Sequence, residues 1–206
     1  DIGGYAVPMD LTDPNSIESA VTEVEANVGE ISILVNNAGI AISAPLDKTS
    51  DADWAQTMAV NLTAGFQLSR RLLPKMAASG WGRVIFVASN AGLAGYPYTS
   101  AYCASKHGVI GLTRALAVEY ARSGGTINSI CPGFVETDMS QKAIENIQAK
   151  TGRSLEDARR ALERMNPQNR LIQVDEVSHA VLGLIAEGAR GINGQAIALD
   201  GGQVMH

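Results

Sequence analysis

The sequence predicts an α/β fold, a doubly wound parallel sheet with helices on both faces. Three observations carry that expectation. Short apolar runs alternate with helix-period stretches along nearly all of the 206 residues, the pattern that builds parallel sheets through crossover helices. The run at 31–35 is apolar but for Ser32, as in a strand covered on both faces. Apolar runs stop in small or polar residues, Asn36-Asn37-Ala38-Gly39, Ser89 and Cys131-Pro132-Gly133. Doubly wound sheets hold their ligands at such carboxyl ends.

Composition bounds the rest. A chain of 206 residues that is 46% hydrophobic and 18% charged reads as a single domain with ample core material. A net charge of −5 supplies no basic surface, which argues against a nucleic-acid partner. No apolar run reaches bilayer length, so no membrane partner is expected. Cys103 and Cys131 lack metal-ligand spacing and make no disulfide framework. That usage fits a reducing compartment and a cytoplasmic location, with no metal site. Cys103 reads as a packing residue. There is no internal repeat, low-complexity tract or linker.

In chain order, residues 5–9 read as a short edge strand, because Pro8 cannot donate to a ladder, and Asp10 closes it. Asp13 and Pro14 have the character of an N-cap and first helical position. Ile17, Ala20, Val21, Val24 and Val28 follow at helical spacing until Gly29. After the strand at 31–35, Ser50 should cap a long helix over about 51–76. Asn61 sits in its middle, where asparagine is a poor helix former unless its amide has a structural task. Residues 84–88 form the next strand, and Thr99 or Ser100 should cap a helix running to about 121. Gly108 and Gly111 inside it imply close approach of another helix, from this chain or a second subunit. Strands at 126–130 and 196–199, and a last helix after Asp175, complete the alternation. The polar, helix-period stretch 140–165 interrupts it and is expected to be a mobile lid of one or two exposed helices.

The chemistry concentrates in residues 84–106. Tyr102 and Lys106, one helical turn apart, share a face. An ammonium near a phenol favours the phenolate and should lower a pKa that is about 10 when unperturbed. A tyrosine so tuned can exchange a proton with a carbonyl oxygen. Ser89, at the end of the preceding strand, is placed to hydrogen-bond the same oxygen. The set is suited to interconverting a carbonyl and an alcohol.

Asp10 closing a strand, NNAG at 36–39, Asn61, Ser89 before YCASK at 102–106, PGFVET at 132–137 and DGG at 200–202 come in an order that resembles the short-chain dehydrogenase/reductase family. The resemblance implies a Rossmann-like sheet and NAD or NADP as cofactor, the choice being unreadable here. It implies that Tyr102 is the general acid or base and that Ser89 polarises the carbonyl. Lys106 would tune Tyr102 and hold the nicotinamide ribose, and Asn61 would keep a water in a proton relay. Asp10 would meet adenine, and Asn36, Ala38 and Gly39 the adenosine side. Pro132, Gly133, Val135 and Thr137 would flank the nicotinamide.

Within the family the pattern resembles the acyl-carrier and CoA ketoreductase branch, which implies a lean to 3-hydroxyacyl or 3-oxoacyl thioesters. Small cyclic or aromatic alcohols, lined by Tyr96, Tyr98, Phe134 and Met139, are the alternative within the class; a non-catalytic scaffold is the alternative outside it. The family's opening G-x-x-x-G-x-G does not precede Asp10, so an N-terminally incomplete domain with at least one βαβ unit outside it is expected. A homotetramer is expected too, through the two long helices and the last strand.

Overall fold

The computed structural model describes residues 3–205. Four parallel strands, β1 (Ile33–Asn36), β2 (Gly82–Val87), β3 (Gly125–Pro132) and β4 (Ala196–Leu199), lie side by side in that order. Parallel neighbours need a crossover, and each link carries at least one helix. Helix α1 (Pro14–Asn27) precedes β1, and α2 (Asp51–Met58) with α3 (Ala64–Ser79) leads to β2. Helix α4 (Ser100–Glu119) leads to β3. Between β3 and β4 come α5 (Asp138–Thr151), α6 (Leu155–Glu163) and α7 (Val174–Ile185).

Strand alternation sorts the core into two layers. Val84, Phe86 and Ala88 join Ile127 and Cys131 under Ile17, Val21, Leu72 and Val109, from α1, α3 and α4. Ile85 and Ile130 turn the other way, to Leu184 of α7 and the half-buried Ile197 and Leu199. Both faces of β2 and β3 are therefore covered, as a doubly wound sheet requires.

Local signals act as the residues suggest. Asp13 accepts from the Asn15 amide, with Pro14 at the first helical position. Ser50 and Asp53 cap α2 reciprocally. The expected helix over 51–76 runs on to Ser79 and carries a π turn, Ala59–Thr63, at its middle. Such single wide turns tend to mark functional positions.

Several expectations need correction. Residues 5–9 form no strand: the segment has no ladder partner among the described residues, and Tyr5 and Met9 stay exposed. The strand expected at 31–35 lies at 33–36 on the sheet edge, and Ile33 and Val35 are 39% and 41% exposed. It pairs with β2 alone, and only Leu34 packs against the core. Gly108 does meet a close neighbour, but within the chain: a Cβ there would lie 2.7 Å from Leu62 Cδ2 on the π turn. Gly111 faces open space. The last helix starts at Val174, with Asp175 in its first turn.

The stretch at 140–165 is two helices, α5 and α6, but not merely an exposed pair. Ile144, Ala158, Leu162 and Leu171 form a buried cluster of their own, against which Phe134, Ala143 and Ile147 pack. That cluster is separate from both sheet layers.

Candidate active site

The π turn explains Asn61. Its side-chain oxygen accepts from the Ile40 amide at 2.8 Å, and its NH2 donates to the Ile40 carbonyl at 2.9 Å and to Ser105 Oγ at 3.0 Å. One buried amide thus ties the segment after β1 to α4, which is the structural task its mid-helix position called for.

Lys106 is buried at 4% exposure, and one of its three N–H donors goes to the Val87 carbonyl at 2.9 Å. Burial of an ammonium without a carboxylate partner pulls its pKa down to about 8. Gly39 explains how β1 comes so near. A Cβ on it would sit 3.5 Å from Lys106 Nζ and 3.3 Å from Asn61 Oδ1. The strand end, Asn61 and Lys106 therefore converge.

Tyr102 is half-buried, with Lys106 Nζ 5.6 Å from its ring centroid. Its pKa is raised: burial is the largest cause, and the Ser89 side chain acts in the opposite direction. This reverses the expected lowering, because desolvation of the phenolate sets the direction of the shift. The phenol is a proton donor at neutral pH in this state. Ser89 is buried where β2 ends, and its Oγ accepts from the Ala91 amide at 3.1 Å. Cys131 lies below, its thiol pushed up to about 11 by burial, so it stays protonated and is no nucleophile.

The other predicted residues divide into two groups. Pro132 pairs with Leu199 across β3 and β4, and the Gly133 amide donates to Leu199 at 3.0 Å. A Cβ on Gly133 would lie 3.1 Å from that of Asp200. Val135 bridges to Ile172, and Thr137 caps α5. These four line one path from the sheet to α5. Asn36 ends β1 with its amide nitrogen buried and unpartnered, and Ala38 is exposed beside it. Asp10 stands exposed, its carboxylate accepting from the Thr12 amide and hydroxyl at 2.8 and 2.7 Å. Those bonds hold its pKa below the ordinary value.

Sequence reasoning missed three features. Asn90 donates to Gln203 Oε1 at 3.1 Å, and Gln203 Nε2 donates to Tyr96 Oη at 2.9 Å. The turn carrying Gln203 is held by Asp200, whose buried carboxylate accepts from the amides of Gly202, Gln203 and Val204 at 3.0–3.1 Å. Asp-Gly-Gly signals a turn, but nothing in it names the side chains that the turn will meet. Third, Glu136 pairs through both oxygens with Arg159 of α6, which also holds Glu163. A surface depression lined by Leu93, Arg114, Gly194, Gln195 and Ala196 includes none of Asn61, Ser89, Tyr102 and Lys106.

Known proteins resemble this arrangement. The model of a family described as enoyl-(acyl carrier protein) reductase matches residues 1–204. D-beta-hydroxybutyrate dehydrogenase of Rhizobium meliloti is 38% identical over 95% of this chain and 76% of its own length. The 3-oxoacyl-[acyl-carrier-protein] reductase of Escherichia coli is 36% identical over 98% of this chain and 78% of its own. Among solved structures, an actinorhodin polyketide ketoreductase variant with NADPH superposes with a TM-score of 0.91 at 35% identity, covering 95% of this chain and 76% of that one. Sorbitol-6-phosphate 2-dehydrogenase from Erwinia amylovora gives 0.92 at 31%, over 98% and 80%.

Proposed function

The chain belongs to the short-chain dehydrogenase/reductase family and is an NAD(P)-dependent oxidoreductase interconverting a secondary alcohol and a ketone; on that premise we propose how its residues divide the work and which substrate they take. The single observation that carries the division is the convergence of Ser89, Tyr102, Lys106 and Asn61 at the carboxyl ends of β1 and β2.

In the reductive direction Tyr102 gives its phenolic proton to the carbonyl oxygen, while Ser89 donates a hydrogen bond to that oxygen and orients it. A nicotinamide cofactor, NAD or NADP, supplies the hydride when bound. A raised Tyr102 pKa suits the proton donor of a reduction. Lys106 has a buried ammonium with donors to spare beside a glycine that presents no side chain, which fits the hydroxyls of a ribose. Asp10, Asn36, Ala38 and Gly39 would hold the adenosine side, and Pro132, Gly133, Val135 and Thr137 the nicotinamide side. Asn61 spends both amide protons on Ile40 and Ser105. That supports a primarily architectural part, with any relay water held by its remaining acceptor capacity.

The substrate we assign is a 3-oxoacyl or 3-hydroxyacyl thioester, supported by the name of the Escherichia coli relative; the Rhizobium relative is named for the free acid of the same 3-hydroxyacyl pattern. The pocket for cyclic or aromatic alcohols is less well supported. Tyr98 is 64% and Met139 44% exposed, and Phe134 packs into the α5–α6 cluster. Comparing kcat/KM for acetoacetyl-CoA with that for cyclohexanone tests the assignment. The thioester should be preferred at least tenfold, a difference of about 1.4 kcal/mol; preference for the cyclic ketone would overturn it. The scaffold reading gives way to the enzyme.

Three further parts belong to the proposal. Exposed Phe66, Val118 and Leu182 on α3, α4 and α7 support assembly through helix faces, as a homotetramer checked by light scattering. Two free cysteines, and no described helix long and apolar enough to cross a membrane, support a cytoplasmic location. Helices α5 and α6 are the lid of the single domain, hinged where Thr137 starts α5.

A further inference from the structure

Three side chains beside Ser89 form a directed chain of hydrogen bonds. Ser89 Oγ lies 3.5 Å from Asn90 Oδ1, a long contact. The next two links are short: Asn90 Nδ2 to Gln203 Oε1 at 3.1 Å and Gln203 Nε2 to Tyr96 Oη at 2.9 Å. The two short links point the same way, Asn90 donating to Gln203 and Gln203 donating to Tyr96, while the long Ser89 contact leaves the Ser89 proton free to turn to substrate. The direction has a consequence for Tyr96. Because Gln203 donates to its oxygen, that hydroxyl is the acceptor, and its own proton has no acceptor among the described residues.

We propose that Tyr96, aimed by the Asn90–Gln203 bridge, is a specificity residue that donates a hydrogen bond to a second carbonyl of the substrate, next to the one being reduced. The idea rests on the reading of Ser89 and Tyr102 as the reacting pair, since the chain starts beside Ser89. A 3-oxoacyl thioester has the required chemistry, an acceptor oxygen on the carbon two removed from the ketone. A simple ketone does not. The site is also built to hold the donor steady. Asn90 is buried, Tyr96 and Gln203 are half-buried, and the three amides bound by Asp200 fix the turn that brings Gln203 across. Burial raises the Tyr96 pKa, so the hydroxyl keeps its proton across the working range.

The test uses two substrates that share the ketone and differ in the second carbonyl, ethyl acetoacetate and 2-pentanone, with acetoacetyl-CoA as a third. Tyr96→Phe should lower kcat/KM for the two dicarbonyl compounds about three- to tenfold, the worth of one neutral hydrogen bond, chiefly through KM. Its kcat/KM for 2-pentanone should equal that of the wild type. Gln203→Met keeps the volume and removes both links, and should give the same selective loss. Gln203→Glu still accepts from Asn90 and accepts from Tyr96 in turn, so it redirects the Tyr96 proton away from substrate and should not restore discrimination. An equal loss on all three substrates would mean that Tyr96 only shapes the site, and no loss on any would mean that it is not a donor; either overturns the inference. Failure of the thioester reading looks different. Rejection of acetoacetyl-CoA by the wild type, with the Tyr96→Phe loss intact on ethyl acetoacetate, upholds the donor and removes only the thioester. Thermal melts of each variant separate a lost hydrogen bond from a lost fold.

Discussion

The region where β2 meets α4 and the α5–α6 pair, the proposed lid, both carry polar residues, yet they are held in opposite ways. At β2–α4 the polar groups are buried and fixed by short bonds across elements, such as Lys106 to Val87 and Asn61 to Ser105. In the lid the apolar cluster is small, and the ties are ion pairs of partly exposed side chains, Arg159 with Glu136 and Glu163. Buried hydrogen-bonded groups cost much to displace, whereas exposed ion pairs contribute little and weaken in salt. One region therefore preserves geometry, and the other is the one we propose to move. A hydride-transfer site needs both, a fixed proton donor and a cover that opens for exchange.

The sharpest way to break this contrast is at the reacting phenol. Tyr102→Phe should cost 100- to 10,000-fold in turnover, on the order of 3–5 kcal/mol, with cofactor affinity nearly unchanged. Steady-state rates with a cofactor titration check it, and retention of more than roughly a tenth of the rate would remove Tyr102 as the acid.

Next in size is Lys106, because its charge is buried at a cost. Its pKa falls from an ordinary 10.5 to about 8 on folding. Between those values the unfolded chain binds more protons than the folded one, so apo stability should rise with pH over that window. Below pH 8 the penalty is fully present. Lys106→Met should therefore raise apo stability at neutral pH by about 2 kcal/mol, after allowing for the orphaned Val87 carbonyl, and flatten the pH dependence. The same variant should weaken cofactor binding and shift the pH–rate profile alkaline. Urea melts across pH 7–10.5 read the first effect, and cofactor titration reads the second. A rate loss without an affinity loss would end the ribose role.

The lid should yield to smaller perturbations. Leu162→Ala opens the lid cluster and should cost about 2–3 kcal/mol locally. Hydrogen exchange should show α5 and α6 losing protection while α4 keeps it. In the unaltered apo protein the lid amides should already exchange faster than those of α4 and slow when cofactor and substrate bind. Strong apo protection throughout 138–163 would make it a fixed wall.

The smallest effect belongs to the Glu136–Arg159 latch, where both side chains are more than a third exposed. Arg159→Ala should change global stability by less than about 1 kcal/mol and raise lid exchange, as added salt should in the wild type. Arg159 holds the Glu136 pKa below its ordinary 4.5. The latch is thus fully formed above that value and lost as pH falls through the lowered one, so neutral pH leaves it engaged.

Much of this was legible residue by residue. The strand–helix alternation, the Asp13 and Ser50 caps, and the one-turn spacing of Tyr102 and Lys106 follow from local chemistry, which each stretch carries within itself. Asn61 announced a structural task by being a poor residue for its place. Burial and partners were not legible in the same way. The apolar run at 31–35 could not reveal that it would become an edge strand, since exposure depends on what lies beside it. The direction of the Tyr102 pKa shift turned on how deeply the fold desolvates the phenol, not on the spacing of a lysine.

By itself, then, the sequence determined the fold class and most of the order of elements, and it pointed to the residues we propose to react, because periodicity, capping and residue type act over a few positions. Only the tertiary structure decided that Gly39 would bring the end of β1 against Lys106, that Asn90, Gln203 and Tyr96 would join, and that Glu136 would pair with Arg159 of α6. Those contacts link residues from 23 to 113 positions apart, and hydrogen-bond geometry over such separations exists only once the sheet has set the distance.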